Sequence, residues 1–448
     1  MELKDLFITP IWIVIIYAIA NALKPVVTDK RTERYYITGL TVKIIGALGL
    51  GCVYQFYYGY GGDTFFYFQN AKPIFESFIN GDIGDTFSLI FTPRQFPYFP
   101  STYAASIGTY ASEPEFFIVR IIGFFSLITF HTYSAIAVIF AFITFSGVWA
   151  MYKAIYRLYP YLHKKLAIAI LFIPSVFFWG SGILKDPITL GALCWATWAF
   201  LNLFKFKRRL LFSFIALSVA LFIIYTVKVY ILICFLPCAI FWIFLERIAN
   251  IKNTFLKFTL APFILLVGVA LSGVAATSIG SGSSKYSFDK WSETAEATAW
   301  WISYSSDLSG GSTYSLGDLD YSPSGVAKKA LPAIWVSLFR PHLWEVRNPI
   351  MLLSAIESLA MLFITVQLIR KFGFKSFKHV GRSPLITFMF VFSILFAFTV
   401  GLTTYNFGSL VRYKIPLIPF YIGAIYLIEF EERLSRIKEK IRLERKRI

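Results

Sequence analysis

The stretch YYGYGGDTFFY, residues 57–67, follows directly on an apolar run that covers about 37–56. It is rich in glycine and tyrosine and holds one carboxylate, Asp63. Asp63 and Tyr67 are four residues apart, so a helix starting here places both on one face. Asp63 or Thr64 can cap that helix through a side-chain oxygen. A carboxylate at the end of a membrane segment predicts a functional site; the alternative is a capped interfacial helix with aromatic anchors at the headgroups.

Composition predicts the fold class. Of the 448 residues, 57% are hydrophobic and only 15% are charged, and apolar runs of about 20 residues recur along the chain. Each run is long enough to cross a bilayer as a helix. The sequence therefore predicts an all-α, polytopic transmembrane protein. The net charge of +18 is attributed to basic cytoplasmic loops, not to nucleic-acid binding.

The four cysteines lie within apolar runs, and neither histidine nor carboxylate lies near the pair Cys234 and Cys238. We expect buried free thiols at Cys52, Cys194 and both of these positions, not a disulfide framework or a metal site. The first apolar run has no small-residue cleavage site, so we expect a retained helix and not a signal peptide.

Loop charge predicts the topology. The apolar runs cover about 7–23, 37–56, 133–152, 166–181, 188–204, 210–227, 229–246, 258–277, 349–369, 384–402 and 415–430. Strongly basic connections fall on one side if all eleven runs cross and the N-terminus is outside. The C-terminal tail, 431–448, is then cytoplasmic, where its alternating charges predict a solvated helix near anionic lipid.

The opposite side receives two long segments of a single transmembrane domain, 1–448. The first, 59–131, is polar, aromatic and proline-rich over about 59–115. It ends in 114–131, which we expect to lie along the outer surface or to dip in without crossing, because only an odd number of crossings fits between the Asp63 loop and the basic loop at 153. The second, 278–348, is rich in serine, glycine and threonine around its first half. No internal repeat is visible, which disfavours an inverted-repeat transporter.

Cations at outer helix ends are exceptions to the positive-inside rule. A shared anionic ligand explains them together, whereas separate interfacial anchors explain them one by one. The residues concerned are Lys185, Arg340, Arg347, Arg412 and Lys414, with Lys228 as a further candidate whose alternative is a turn residue.

Three short stretches carry these cations. In GSGILKDP, 180–187, Lys185 and Asp186 stand at a predicted helix start; Asp186 suits the cap, and an anion is favoured beside Lys185 and the helix N-terminus. In FRPHLWE, 339–345, Arg340 and Glu345 accompany His342, which is more often structural than catalytic. In NFGSLVRYKIP, 406–416, Arg412 and Tyr413 precede a crossing.

The motif GGDTFFY at 61–67 resembles bacterial polysaccharide polymerases of the EpsG and Wzy type. VRYKIP at 411–416 is similar to the Arg-Tyr-x-x-Pro ending of those proteins and of GT-C glycosyltransferases. The early outer loop with its Asp and surface helix also resembles the GT-C plan. Two crossings precede the acidic residue here, where GT-C enzymes usually have one, which favours the polymerase type.

The resemblance implies a transferase of the bacterial inner (plasma) membrane that takes a sugar or glycan from a lipid-linked, polyprenyl-phosphate donor to a glycan acceptor at the outer face. Asp63 is then the base or acceptor-orienting group, and Tyr67 positions it or stacks on sugar. Lys185, Arg340 and Arg412 are expected phosphate ligands. Asp186, Glu345 and Tyr413 complete the expected substrate site. No cofactor is expected, although a divalent metal is compatible with this chemistry.

Two other function classes stay open. A transporter or flippase of lipid-linked glycan would need ionisable residues buried within helices, and Glu357 is the clearest acid in such a position. A structural subunit of an envelope complex would tolerate loss of the cations.

Overall fold

The structure of the protein is a computed structural model. It describes residues 2–59, 62–251, 266–271, 273–274, 277–278, 293, 296–297, 300–301, 304, 312–317 and 322–447. Over these residues the regular structure is helical, and the β pairing consists of one isolated bridge between Thr313 and Asn406. The predicted all-α class is confirmed. The chain falls into two compact units, 1–229 and 230–448, which are described separately.

The first unit contains eleven helices and the start of a twelfth among its described residues. They are α1 (Asp5–Val27), α2 (Glu33–Cys52), α3 (Asp63–Asn70), α4 (Lys72–Ile79), α5 (Ile83–Phe91), α6 (Thr102–Ser106), α7 (Glu113–Thr129), α8 (Tyr133–Leu158), α9 (His163–Leu171), α10 (Pro174–Phe178), α11 (Lys185–Leu201) and the start of α12 (Leu210–Ala249). Short π-helical turns extend α2 to Tyr57 and α11 to Phe206.

Helix α8 is the centre of the first unit. Of the most apolar stretch of 18 residues in α8, 83% are buried, against 17% of the corresponding stretch in α1. It packs against α1, α2 and α11. The approach to α11 is close because Gly147 faces the backbone of Gly191, and glycine at such contacts lets two helix backbones approach.

The second unit holds the end of α12 and seven further helices in its described part. These are α13 (Pro323–Lys328), α14 (Ala330–Phe339), α15 (Pro349–Phe372), α16 (His379–Arg382), α17 (Pro384–Thr403), α18 (Phe407–Tyr413) and α19 (Ile418–Arg447). α17 packs against α14 and α19. Side-chain caps fix two helix starts: Asn348 Oδ1 accepts from Met351 N at 2.8 Å, and Asn406 Oδ1 from Ser409 N at 2.9 Å.

Seven helices among the described residues are long and apolar enough to cross a membrane, and an eighth span arises if the bent pair α18 and α19 counts as one. They are α1, α2 with its π-helical end, α8, α11 with its π-helical end, α12, α15 and α17. The chain is therefore a helical membrane protein. The predicted count of about eleven crossings is not confirmed.

The difference in count has identifiable sources. The predicted run 166–181 is divided between α9 and the five-residue α10, because Pro174 lacks an amide hydrogen and follows an extended Ile173. The runs 210–227 and 229–246 form the single 40-residue α12, in which Lys228 is non-helical at φ −146° and ψ 74°. Most of the run 258–277 lies outside the described residues.

Two further predictions concern exposure and depth. α7 has 17 residues and is not among the candidate spans, and the prediction that it lies along the surface stays a prediction. Cys52 is exposed, so its predicted burial is wrong, whereas the other three cysteines are buried free thiols as expected.

The single-domain organisation, with its outer loops 59–131 and 278–348 and tail 431–448, also stays a prediction; part of the second loop lies outside the described residues.

Candidate functional site

Asp63 is the first residue of α3 and is half-buried. The preceding Gly62 has φ +89°, a left-handed conformation, and an added Cβ would lie 2.9 Å from Tyr54 Cδ1. This position therefore requires glycine. The N-cap position of α3 is Gly62, so Asp63 and Thr64 lie within the first turn and the predicted cap position of either residue is wrong. Thr64 is buried, and its hydroxyl bonds instead to Tyr133 OH at 2.6 Å.

Tyr67, one turn after Asp63 on α3, lies beside Lys185. The Lys185 ammonium is 5.7 Å from the centre of the Tyr67 ring and 3.3 Å from Glu115 Oε1. Tyr67 is 2% exposed, whereas Lys185 and Glu115 keep about a quarter and a third of their side chains exposed. An aromatic face and a carboxylate both attract an ammonium. The fold thus assembles a cation, a carboxylate and a ring, with Asp63 on the same short helix as the ring.

The next residue of α11 makes a different contact. Asp186 forms a buried ion pair with Lys228, the residue at the break in α12. The side chains are 2% and 7% exposed, so each ion is compensated by the other away from solvent. Asp186 is the second residue of α11 and not its cap, which is Leu184. The predicted capping role is therefore wrong, and Pro187 follows as the third residue of the helix.

Lys43 supports the turn that leads into α11. It is 2% exposed, and its ammonium donates to the Gly180 carbonyl and lies 3.4 Å from Thr144 Oγ1. The carbonyl belongs to the irregular stretch between α10 and α11, which has no helical donor for it. Irregular backbone within a membrane protein needs such an internal partner. Lys43 therefore holds the base of the segment that presents Lys185.

In the second unit, Arg340 and Glu345 form a forked ion pair. Arg340 Nε donates to both Glu345 oxygens at 3.0 Å, Nη2 donates to Oε1, and His342 N donates to Oε2 at 2.7 Å. Burial opposes ionisation of this carboxyl, but the hydrogen bonds from Arg340 and the His342 backbone, with the charge of Arg340, leave the pKa of Glu345 below its ordinary value. The guanidinium carbon also lies 5.1 Å from the centre of the Phe407 ring.

Lys414 is buried and supports the same segment. Its ammonium donates to the Arg340 carbonyl at 3.1 Å and to Ser358 Oγ at 3.0 Å. It is therefore a structural cation within this cluster, and not an exposed phosphate ligand. Arg412 and Tyr413 form the end of the seven-residue α18.

The predicted site residues thus fall into two groups. Asp63, Tyr67, Lys185 and Asp186 belong to the first unit, and Arg340, Glu345, Arg412 and Tyr413 to the second. Within the first unit, Tyr67 meets Lys185. Convergence of the two groups on one cavity stays a prediction, as do the substrate-binding roles of all eight residues.

The sequence reasoning missed Glu115 and Lys43. Glu115 had a usable signal, because it stands in the first turn of a helix predicted to lie on the same side as Lys185. Lys43 had one as well, since it interrupts an apolar run at membrane depth, which by itself indicates a function. No group of three His, Cys, Asp or Glu side chains in the described ranges is placed to hold a metal ion, and the expectation about metals stays a prediction.

Comparison with known proteins gives no match, whether to protein-family models, to curated proteins or to solved structures.

Proposed function

We propose that this chain is a membrane glycosyltransferase or glycan polymerase that transfers sugar from a polyprenyl-phosphate-linked donor at the outer face of a bacterial inner membrane. One observation carries the proposal: Lys185 contacts both Tyr67 and Glu115, and Asp63 stands one turn before Tyr67 on α3. A transferase for such a donor needs a cation for the phosphate and a proton acceptor for the attacking hydroxyl. The motif resemblance at 61–67 and 411–416 supports the same function.

In the proposed reaction, a hydroxyl of the acceptor glycan attacks the anomeric carbon of the donor sugar. Asp63 accepts the hydroxyl proton as the new C–O bond forms. The bond between the sugar and the phosphate oxygen breaks, and its electron pair leaves with the phosphate. Lys185 stabilises the charge that grows on that oxygen, with the N-terminus of α11 beside it. Tyr67 is buried and holds the Lys185 ammonium beside its ring, so it positions the cation and does not touch the sugar.

The first test is transfer by the purified protein. The glycan that disappears from cells lacking the protein identifies the substrate. The rate at which the purified, reconstituted protein transfers that glycan is then measured. Loss of a general base costs about 10²–10⁴-fold in rate, so Asp63→Asn should lose transfer to that extent while folding normally. The matched control is Asp85→Asn, which removes a carboxylate of the same predicted outer loop. Equal rates for the wild type and Asp63→Asn would refute the mechanism.

Lys185 provides an independent test. Lys185→Gln should lower kcat/KM for the donor by about tenfold to a hundredfold, since a charge-assisted hydrogen bond to phosphate is lost. Glu115→Gln should retain transfer, because Glu115 holds Lys185 only while no donor phosphate is bound. If Glu115→Gln abolishes transfer and Lys185→Gln does not, the assigned roles are incorrect.

A second candidate function is transport of the same lipid-linked glycan. The observation that favours it is the burial of ionisable side chains within candidate spans, Lys43 in α2 and Glu357 in α15. Liposomes that contain the purified protein and a fluorescent lipid-linked sugar separate the two. Movement of the probe between leaflets without transfer to an acceptor would favour transport.

A further inference from the structure

Helix α14 forms one wall of an open groove in the second unit. The groove has a volume of about 420 Å³, within the range of small-molecule sites. Its lining residues are Ser315, Leu316, Leu331, Pro332, Trp335, Val336 and Arg340. Leu331 is 79% exposed and Trp335 45% exposed, so large apolar side chains stand open to the surroundings. The surface is therefore mainly apolar with a single charged side chain in its lining.

That charged side chain has binding capacity left. Arg340 uses Nε and Nη2 for Glu345, and no hydrogen-bond acceptor in the described part of the chain is paired with its Nη1. A guanidinium carries two N–H groups on that nitrogen. They remain for an anion, and phosphate suits the fork geometry of arginine.

A second cation stands at the other end of α14. Lys329 precedes the helix, and its ammonium donates to the carbonyl of Leu316, a lining residue, at 2.6 Å. Lys329 and Arg340 are the residues that flank the helix, eleven positions apart, which at about 1.5 Å per residue is about 16 Å along its axis. Lys329 is bonded to the backbone and does not line the groove, so Arg340 is the cation that the groove presents. A ligand with an anionic head at Arg340 and an apolar chain along Trp335 and Leu331 matches this arrangement.

We propose that this groove binds the phosphate and the adjoining chain segment of an isoprenoid phosphate lipid, and that Glu345 competes with the phosphate for Arg340. The choice of an isoprenoid chain rests on the proposed function, in which such a lipid phosphate is the leaving group at Lys185; the groove is a separate site for the released lipid. Glu345 occupies the edge of the guanidinium formed by Nε and Nη2 as an internal anion. Phosphate binds first through Nη1 and gains further donors when it displaces Glu345, so the carboxylate sets the affinity of the site.

The test measures binding, separately from transfer. Farnesyl phosphate is titrated into the full-length protein in detergent by isothermal titration calorimetry, with farnesol and inorganic phosphate as the probes that lack one half of the ligand. The wild type should bind farnesyl phosphate more tightly than either half. Equal affinity for inorganic phosphate would refute the groove as the site of the chain, and a preference for a diacyl phosphatidic acid would refute the isoprenoid assignment.

Three substitutions test the roles of individual groove residues and of Glu345. Arg340→Gln should weaken binding by about tenfold to a hundredfold, Trp335→Ala by about tenfold, and Glu345→Gln should tighten it. The matched controls are Arg347→Gln and Trp344→Ala, which remove an exposed arginine and an exposed tryptophan that do not line the groove. Thermal unfolding of each variant shows whether it is folded. Weaker binding to a folded Glu345→Gln would overturn the proposed competition.

The two proposals fail in different ways. Loss of binding in Arg340→Gln and Trp335→Ala, without any glycan transfer by the wild type, would retain the lipid site and reject the transferase. Transfer by the wild type with unchanged farnesyl phosphate binding in both variants would retain the transferase and reject this groove.

Discussion

His131 is an uncharged histidine within the fold of the first unit. Its ring stacks on Phe68 at 4.0 Å and on Phe75 at 5.7 Å, and Nδ1 lies 2.9 Å from Ser126 Oγ. In the described structure Nε2 is buried without a hydrogen-bond partner. Burial, with the charges of Lys4 and Lys72, lowers the pKa of His131 to about 3. The folded protein therefore excludes a proton that the unfolded chain binds at an ordinary pKa of 6.5.

This exclusion predicts acid sensitivity. Because the unfolded state binds the proton first, the stability due to His131 is complete above pH 6.5 and declines as the pH falls toward 3. His131→Asn, which tolerates the positive φ of 48° at this position, should reduce the fall in Tm between pH 7.5 and 5. The control is His342→Asn, on a half-buried ring. An identical pH slope in wild type and His131→Asn would contradict the prediction.

At the same scale, sequence spacing gave the relation of Asp63 to Tyr67 but not the partners of Lys185 and Lys228. Helical periodicity relates residues four apart, whereas the Lys185–Glu115 contact joins residues 70 positions apart. Loop charge placed Lys228 and Asp186 on one side, and left the lysine as either a ligand of an external anion or a turn residue. Three-dimensional packing decides between an internal and an external partner, and side preference alone does not.

The contact of α8 with α11 depends on the absence of side chains. A Cβ added at Gly147 would collide with the Gly191 carbonyl oxygen and lie 2.8 Å from Trp195 Cδ1. The carbonyl belongs to a helix backbone and cannot move alone. We expect Gly147→Ala to destabilise the protein by about 1–3 kcal/mol, as overpacking does.

Thermal unfolding of purified protein measures this effect. Gly84→Ala is the matched control, because a Cβ there has no atom within 4 Å, and it should leave Tm nearly unchanged. If both substitutions shift Tm equally, close helix packing is not the cause.

Among the secondary-structure elements, the apolar runs with clear ends were correctly predicted to be long helices. They are α1, α2, α8, α11, α15 and α17. The run 166–181 was not, since apolar composition does not show where buried backbone leaves the helix. Proteins tolerate such a break when another group satisfies the released carbonyl. Here Lys43, more than 130 residues away in sequence, provides that bond.

For the whole molecule, the charge pattern predicts that Gly84 and the tail lie on opposite sides of the membrane. In a Cys52→Ser background, Gly84→Cys and Lys440→Cys each provide one exposed thiol. A membrane-impermeant maleimide added to intact cells should label the first and not the second. Equal labelling of both would overturn the topology, and reversed labelling would invert it.

The ion pair of Asp186 and Lys228 has a consequence for biogenesis. The ribosome synthesises Asp186 forty-two residues before Lys228. The Asp186 carboxylate therefore lacks this ion-pair partner while α11 and the first half of α12 are inserted into the membrane. Lys228→Met removes the partner permanently and leaves a buried carboxylate, which is more harmful than removal of both ions. We expect Lys228→Met to lower the amount of protein that accumulates in the membrane fraction. Added Asp186→Asn should restore it, and accumulation of the double variant below that of Lys228→Met would contradict this order of events.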